Sequence, residues 1–133
     1  MSARVRYIAS EQAFARHLGI EVVSIADDRV VLRLPYRDFL GIERVNGGAI
    51  SALVDLAGTC ACWSHPSVGA NARGATVGFD MHFLKLVIAE DLLASARVRR
   101  RGGTLCVADV AVRNAREEEV AVATLTYKLD TLT

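Results

Sequence analysis

The sequence predicts an α+β fold in which antiparallel strands curl around one long helix, and three observations predict it. The first is the stretch Asn46 to Trp63, where a cap-capable Asn and two glycines precede a run of helix formers and apolar residues with no Pro before Pro66. The second is a period-two alternation of apolar and polar residues, clearest between Thr76 and Phe83 and repeated in the segments that follow. The third is the turn chemistry between those segments, Gly102-Gly103 and the polar stretch Asn114 to Glu118. A long buried helix after two strands, followed by a meander of longer strands, fits a sheet wrapped around that helix.

In chain order, Ser10 to Leu18 predicts a short helix, with Ser10 as cap, Ala13, Phe14 and Leu18 on one side and Gly19 as the stop. Glu21 to Ile25 and Arg29 to Leu34 predict two strands joined at Asp27-Asp28, and Pro35 ends the second. Val30, Leu32 and Leu34 share one face of it, Val31 and Arg33 the other. The loop Tyr36 to Val45 leads into the central helix.

After that helix, Ser64-His65-Pro66-Ser67 breaks the chain and a small-residue loop runs to Gly74. The strand from Thr76 to Phe83 sets Val77, Phe79, Met81 and Phe83 on its apolar face and Thr76, Gly78, Asp80 and His82 on the other. Leu92, Ala94, Ala96 and Val98 mark the next strand, and Gly102-Gly103 predicts a two-residue hairpin turn into Leu105 to Arg113. Cys106, Ala108, Val110 and Val112 form the apolar face there. Val120 to Leu129 supplies a last strand with Ala121, Ala123, Leu125, Tyr127 and Leu129 inward. The total is about six strands.

At 133 residues the chain is expected to be a single domain, 1–133, large enough to bury roughly two thirds of its unfolded surface. Sixteen basic and fifteen acidic residues leave a formal charge of +1, so nothing global points to nucleic acid or to a membrane surface. Neither an N-terminal leader nor a spanning stretch of 18 apolar residues stands out, and the expected location is the cytoplasm. Cys60, Cys62 and Cys106 are an odd number and suit buried free thiols. His17 and His65 lack ligand-spaced partners, so neither a metal nor another cofactor is expected.

The chemistry concentrates on the central helix. Between Ile50 and Cys62 the polar members Ser51, Asp55 and Thr59 fall at i, i+4 and i+8, on one narrow stripe of an otherwise apolar helix. An ionised Asp55 in that setting is costly unless paired or hydrogen-bonded. Gly48 lies seven residues earlier, on the same face and at the positive end of the helix, where a free amide polarises a carbonyl oxygen. The two are about 10 Å apart along the axis, too far for one carbonyl group to touch both. If they cooperate, they come from two subunits.

Asn46-Gly47-Gly48 followed by Asp55 resembles the His-Gly-Gly-x6-Asp signature of the hotdog-fold acyl-CoA thioesterases of the phenylacetate-pathway (PaaI-like) type, and the resemblance runs from about Leu18 to Leu129. It implies a central helix wrapped by an antiparallel sheet, two chains pairing to build the site, the second Gly amide on the thioester oxygen and the acid driving hydrolysis. It also implies a role for Thr76, where relatives place a Ser or Thr that holds the water or nucleophile, and a site bordered by the loop before the helix. The chain departs from the pattern twice. The motif's His is Asn46, able to cap the helix and donate a hydrogen bond but not to carry a proton, and a loop position often Asn is Leu40.

Gly47 then allows close backbone approach, Glu43 is a second carboxylate near the motif, and Arg97, Arg99 and Arg101 share a strand face whose forks match the phosphates of coenzyme A. Blander readings stay open: a buried Asp satisfied by nearby donors, a turn glycine, an ordinary strand Thr, a solvated loop Glu and a solvated Arg face. The reading is an acyl-CoA thioesterase, a homodimer or a dimer of dimers. The alternatives are a non-catalytic acyl-CoA sensor and an enoyl-thioester hydratase using Asp80 and His82.

Overall fold

The computed structural model describes residues 2–130. The chain opens with helix α1 (Ser2–Arg6), a π-helical turn (Tyr7–Glu11) and helix α2 (Ala13–Leu18). The helix expected from Ser10 therefore starts later. Ser10 Oγ donates back to the Arg6 carbonyl at 3.1 Å instead of capping, and Gln12, in extended conformation, restarts the helix. Burial decides the arrangement: Val5, Ala9, Ala15 and Leu18 are buried and Ala13 and Phe14 are exposed, with Phe14 and Leu18 lining the same hollow. Gly19 stops α2 as predicted, with φ +83° and its N–H on the carbonyls of Ala15 and Arg16.

Six strands are present among the described residues: β1 (Glu21–Ala26), β2 (Arg29–Leu34), β3 (Arg73–Phe83), β4 (Leu92–Arg101), β5 (Leu105–Arg113) and β6 (Glu119–Asp130). They form one antiparallel sheet in the order β1-β2-β4-β5-β6-β3. Against its inner face lies helix α3 (Gly47–Trp63), on which Ile50, Leu53, Val54, Leu56, Ala57 and Cys60 are buried. The inward residues of β2, β5 and β6 are the ones that alternation assigns. Helix and sheet approach closely at Gly58, where a Cβ would come within 3.0 Å of the Leu125 side chain. Trp63 Nε1 donates to Tyr127 Oη at 2.9 Å and fixes the far end of α3 to β6.

Two β-bulges overturn part of the face assignment. In β3 the register shifts between Thr76 and Gly78, so Val77 is the extra residue and Thr76 joins Phe79 and Met81 on the inner face, opposite Tyr127. In β4 the shift lies between Val98 and Arg100. It sets Arg101 opposite the inward Cys106, on the other face from Arg97, which pairs with Asp109. Arg97 and Arg101 therefore do not share a face. The β4–β5 connection is also longer than predicted, Gly102-Gly103-Thr104, closed by Gly102 N–H on the Leu105 carbonyl at 2.9 Å.

The apolar face predicted for Thr76 to Phe83 is not core. β3 is an edge strand, and Val77, Phe79 and Phe83 remain 62, 38 and 54% exposed. Phe83 lies beside the start of α3, where a Cβ on Gly47 would come within 3.3 Å of its ring.

Candidate functional site

The loop before α3 sets the helix start. Gly41, at φ +133°, folds the chain back so that Asn46 N–H reaches the Leu40 carbonyl at 2.7 Å, while Tyr36 Oη donates to the Gly41 carbonyl at 2.8 Å. Asn46 is then the N-cap, as predicted, and its Oδ1 accepts from Gly48 N–H at 2.7 Å. The Gly48 amide, expected to be free, is engaged. The Gly47 amide, one position earlier, has no partner among the described residues. Glu43 stands exposed just before, with φ +67°.

Asp55 sits two turns along. The polar stripe Ser51, Asp55 and Thr59 is half-buried, and its first two members face β3: Ser51 Oγ lies 3.5 Å from Met81 Sδ, and Asp55 Oδ1 accepts from Thr76 Oγ1 at 2.7 Å. The carboxylate thus has a hydroxyl donor and keeps access to solvent beside an uncovered edge strand. Burial, with the Asp55 charge added to it, pushes the Cys60 thiol on the next turn up to about 12, which leaves that cysteine without nucleophilic character at neutral pH.

Of the two arginines expected to bind substrate, Arg101 lies inside. Its side chain is 16% exposed, one terminal nitrogen donates to the Cys62 carbonyl at 2.9 Å, and the other pairs with Asp28 at 2.8 Å. It caps the C-terminal end of α3. Arg99 is exposed and bound to Asp109 at 2.7 Å. Asp80 and His82 line a concavity of about 730 Å³ on the outer sheet face with Arg29, Arg97 and Asp109. Neither Asp55 nor the start of α3 takes part in it.

A smaller hollow of about 300 Å³ opens at the helix start, lined by Asn46 and Gly48 together with Phe14, Leu18, Phe39, Leu40, Ala49 and Ala52. These apolar lining residues escaped the sequence reading. The signal was there in Ala49 and Ala52, small residues three apart on one face of the helix. Among the described residues no three His, Cys, Asp or Glu side chains are grouped to hold a metal ion, and no helix is long and apolar enough to cross a membrane.

The family model described as thioesterase superfamily matches residues 43–121, a span that takes in the helix start, Asp55, Thr76 and most of the meander. The chain belongs to the thioesterase superfamily. It is a thioester hydrolase with the hotdog fold. A candidate esterase of Halobacterium salinarum is 29% identical over 139 residues, covering 96% of this chain and 91% of its own. A thioesterase family protein of Silicibacter pomeroyi superposes with a TM-score of 0.86 at 27% identity, over 98% of both chains. The PaaI protein of the phenylacetic acid degradation operon of E. coli shares the fold, with a TM-score of 0.81 at 23% identity over 95% of this chain and 88% of its own.

Proposed function

We propose that the thioester is an acyl-CoA, hydrolysed to a free acid and coenzyme A in a site built across a homodimer. The observation that carries this reading is the hydrogen-bonded pair Asp55–Thr76 on the inner face beside the uncovered edge strand. The start of α3 supplies the electrophilic side. The unpartnered Gly47 amide polarises the carbonyl, and the Gly48 amide joins it when substrate displaces the Asn46 side chain. Asp55 supplies the other side, either taking a proton from the attacking water or attacking the carbonyl carbon itself, with the thiolate leaving as the tetrahedral centre collapses; after direct attack, water hydrolyses the resulting anhydride to release the acid and restore the carboxylate.

Gly48 and Asp55 are seven residues apart on one helix, about 10 Å, so the two halves come from different chains. The exposed row Val77, Phe79 and Phe83 and the unpaired edge of β3 support pairing with a second copy there. Glu43 and Arg99, both solvent-facing, remain available to the coenzyme portion.

The test is thiol release from short, long and aromatic acyl-CoAs, comparing the native protein with Asp55→Asn at equal folded concentration. At least about a hundredfold loss in the variant is expected. Val77→Asp, at the bulge of the free edge, is expected to give a folded monomer by sedimentation and to lose turnover with it. No release from any acyl-CoA, or full activity in that monomer, overturns the reading.

A further inference from the structure

Ser51 is the member of the polar stripe that hydrolysis leaves without a task. It stands one turn past Gly47 and one turn before Asp55, half-buried against β3. Its Oγ donates to the Gly47 carbonyl at 2.8 Å and lies 3.5 Å from Met81 Sδ. A hydroxyl has one proton, and the thioether is the weaker and more distant of the two acceptors, so the proton goes to the carbonyl. The Met81 contact holds the hydroxyl between α3 and β3.

The Gly47 carbonyl and the Gly48 N–H are the two ends of one conjugated peptide group. A donor on the carbonyl oxygen draws electron density away from the nitrogen, and the N–H becomes the stronger donor; hydrogen bonds in a chain reinforce one another in this way. The chain here runs from Ser51 Oγ–H to the Gly47 carbonyl, and from Gly48 N–H to Asn46 Oδ1 at 2.7 Å. A helical carbonyl accepts one N–H along the helix and has a second lone pair, which Ser51 occupies.

Resting on the reading that the amides at the start of α3 polarise the thioester carbonyl, we propose that Ser51 is a positioning residue of the reaction. Its hydroxyl fixes and polarises the Gly47–Gly48 peptide, so that the Gly48 amide is the stronger donor to the substrate oxygen once the Asn46 side chain is displaced. Serines within helices commonly donate to the carbonyl four residues back. What sets Ser51 apart is the peptide on which it acts.

Two magnitudes bound the effect. Loss of one donor to a developing oxyanion lowers kcat about a hundred- to a thousandfold, and cooperative strengthening is about 10–30% per bond. That share of the logarithm makes about two- to eightfold in kcat depend on the Ser51 hydroxyl.

The experiment uses three variants. Ser51→Ala removes the hydroxyl, Ser51→Cys keeps the size with a weak donor, and Ser51→Thr restores a hydroxyl able to reach the carbonyl four residues back. The first readout is the amide proton resonances of the free protein. That of Gly48 is expected to move upfield in Ser51→Ala and Ser51→Cys by more than those of Gly47 and Ala49, and to return in Ser51→Thr. The second is thiol release from acyl-CoA, where kcat is expected to fall about two- to eightfold in the Ala and Cys variants with KM within about twofold, and to recover in the Thr variant.

A Gly48 resonance that stays in place in folded Ser51→Ala or Ser51→Cys overturns the proposal, whatever the turnover. Native kcat in Ser51→Ala overturns it too, and so does a loss that Ser51→Thr fails to recover, which assigns the effect to packing. Thiol release from no acyl-CoA by the native protein overturns the acyl-CoA reading instead. The Gly48 resonance, read without substrate, still decides for or against the polarised peptide.

Discussion

Thr76 Oγ1 donates a 2.7 Å hydrogen bond to Asp55 Oδ1, and it reaches the helix because Val77 is an extra residue in its strand. Strict alternation from Phe79 puts Thr76 on the outer face; the bulge turns it inward. In the proposed mechanism Thr76 is a positioning residue for the Asp55 carboxylate. Thr76→Val, close in shape but without a donor, is expected to lower kcat by about ten- to a hundredfold, and Thr76→Ser to recover most of it. Equal rates for Val and Ser, with unchanged thermal midpoints, indicate an ordinary strand threonine.

Asn46 joins two roles that substitution separates. Asn46→Ala loses the cap on Gly48 N–H, and a loss of about 1 kcal/mol in unfolding free energy is expected by denaturant titration. Asn46→Asp keeps the cap and adds a charge that the helix dipole favours, so stability holds. In the proposed mechanism that same charge faces the oxygen that becomes negative, and kcat is expected to fall at least about tenfold. Asn46→Asp with native turnover excludes the helix start as the polarising site.

Most of the fold was legible because one face of each inner strand and nearly the whole of α3 are buried. Val30, Leu32, Cys106, Val110, Leu125 and Leu129 announce their strands by alternation, and Asn46 and Gly19 mark helix ends by cap chemistry. The misread positions share a cause. A bulge inserts one residue without disturbing composition, so Thr76 and Arg101 change face with no local sign in the sequence. The row Val77, Phe79 and Phe83 has the pattern of core but lies on an edge strand, and edge position depends on strand order. The π-helical turn after α1 was missed since the burial of Val5 and Ala9 comes from tertiary contacts. At the site, Asp55 and Asn46 were visible as chemistry, whereas the occupied Gly48 amide and the hollow are matters of geometry.

Arg101 offers a direct contrast between a coenzyme ligand and a structural clasp. Its two terminal nitrogens hold the Cys62 carbonyl and Asp28, joining the end of α3 to the β1–β2 turn. Arg101→Gln is expected to destabilise the protein by about 2 kcal/mol, discounted for the partial exposure of Asp28, and to leave KM for acyl-CoA within about twofold. Arg99→Gln removes only an exposed pair and is expected to change stability by less than about 1 kcal/mol. A rise in KM of tenfold or more for Arg101→Gln, with unchanged stability, reverses the assignment and returns Arg101 to the phosphates.

Acid stability has an identifiable contributor in Glu118. Lys85 first, then Asn114 and Arg116, hold its carboxyl down to about 2 from an ordinary value of 4.5, and Lys85 thereby ties the segment after β3 to the β5–β6 turn. A carboxylate whose folded value is depressed binds its proton more readily when unfolded. Its contribution is therefore complete above about pH 4.5 and is lost as the pH falls from there through about 2. Glu118→Gln cannot ionise. Thermal midpoints of the two proteins are expected to differ at pH 7, with the native chain higher, and to converge by pH 2. A gap that stays constant across that window assigns the effect to hydrogen-bond geometry in the turn and not to the charge of Glu118.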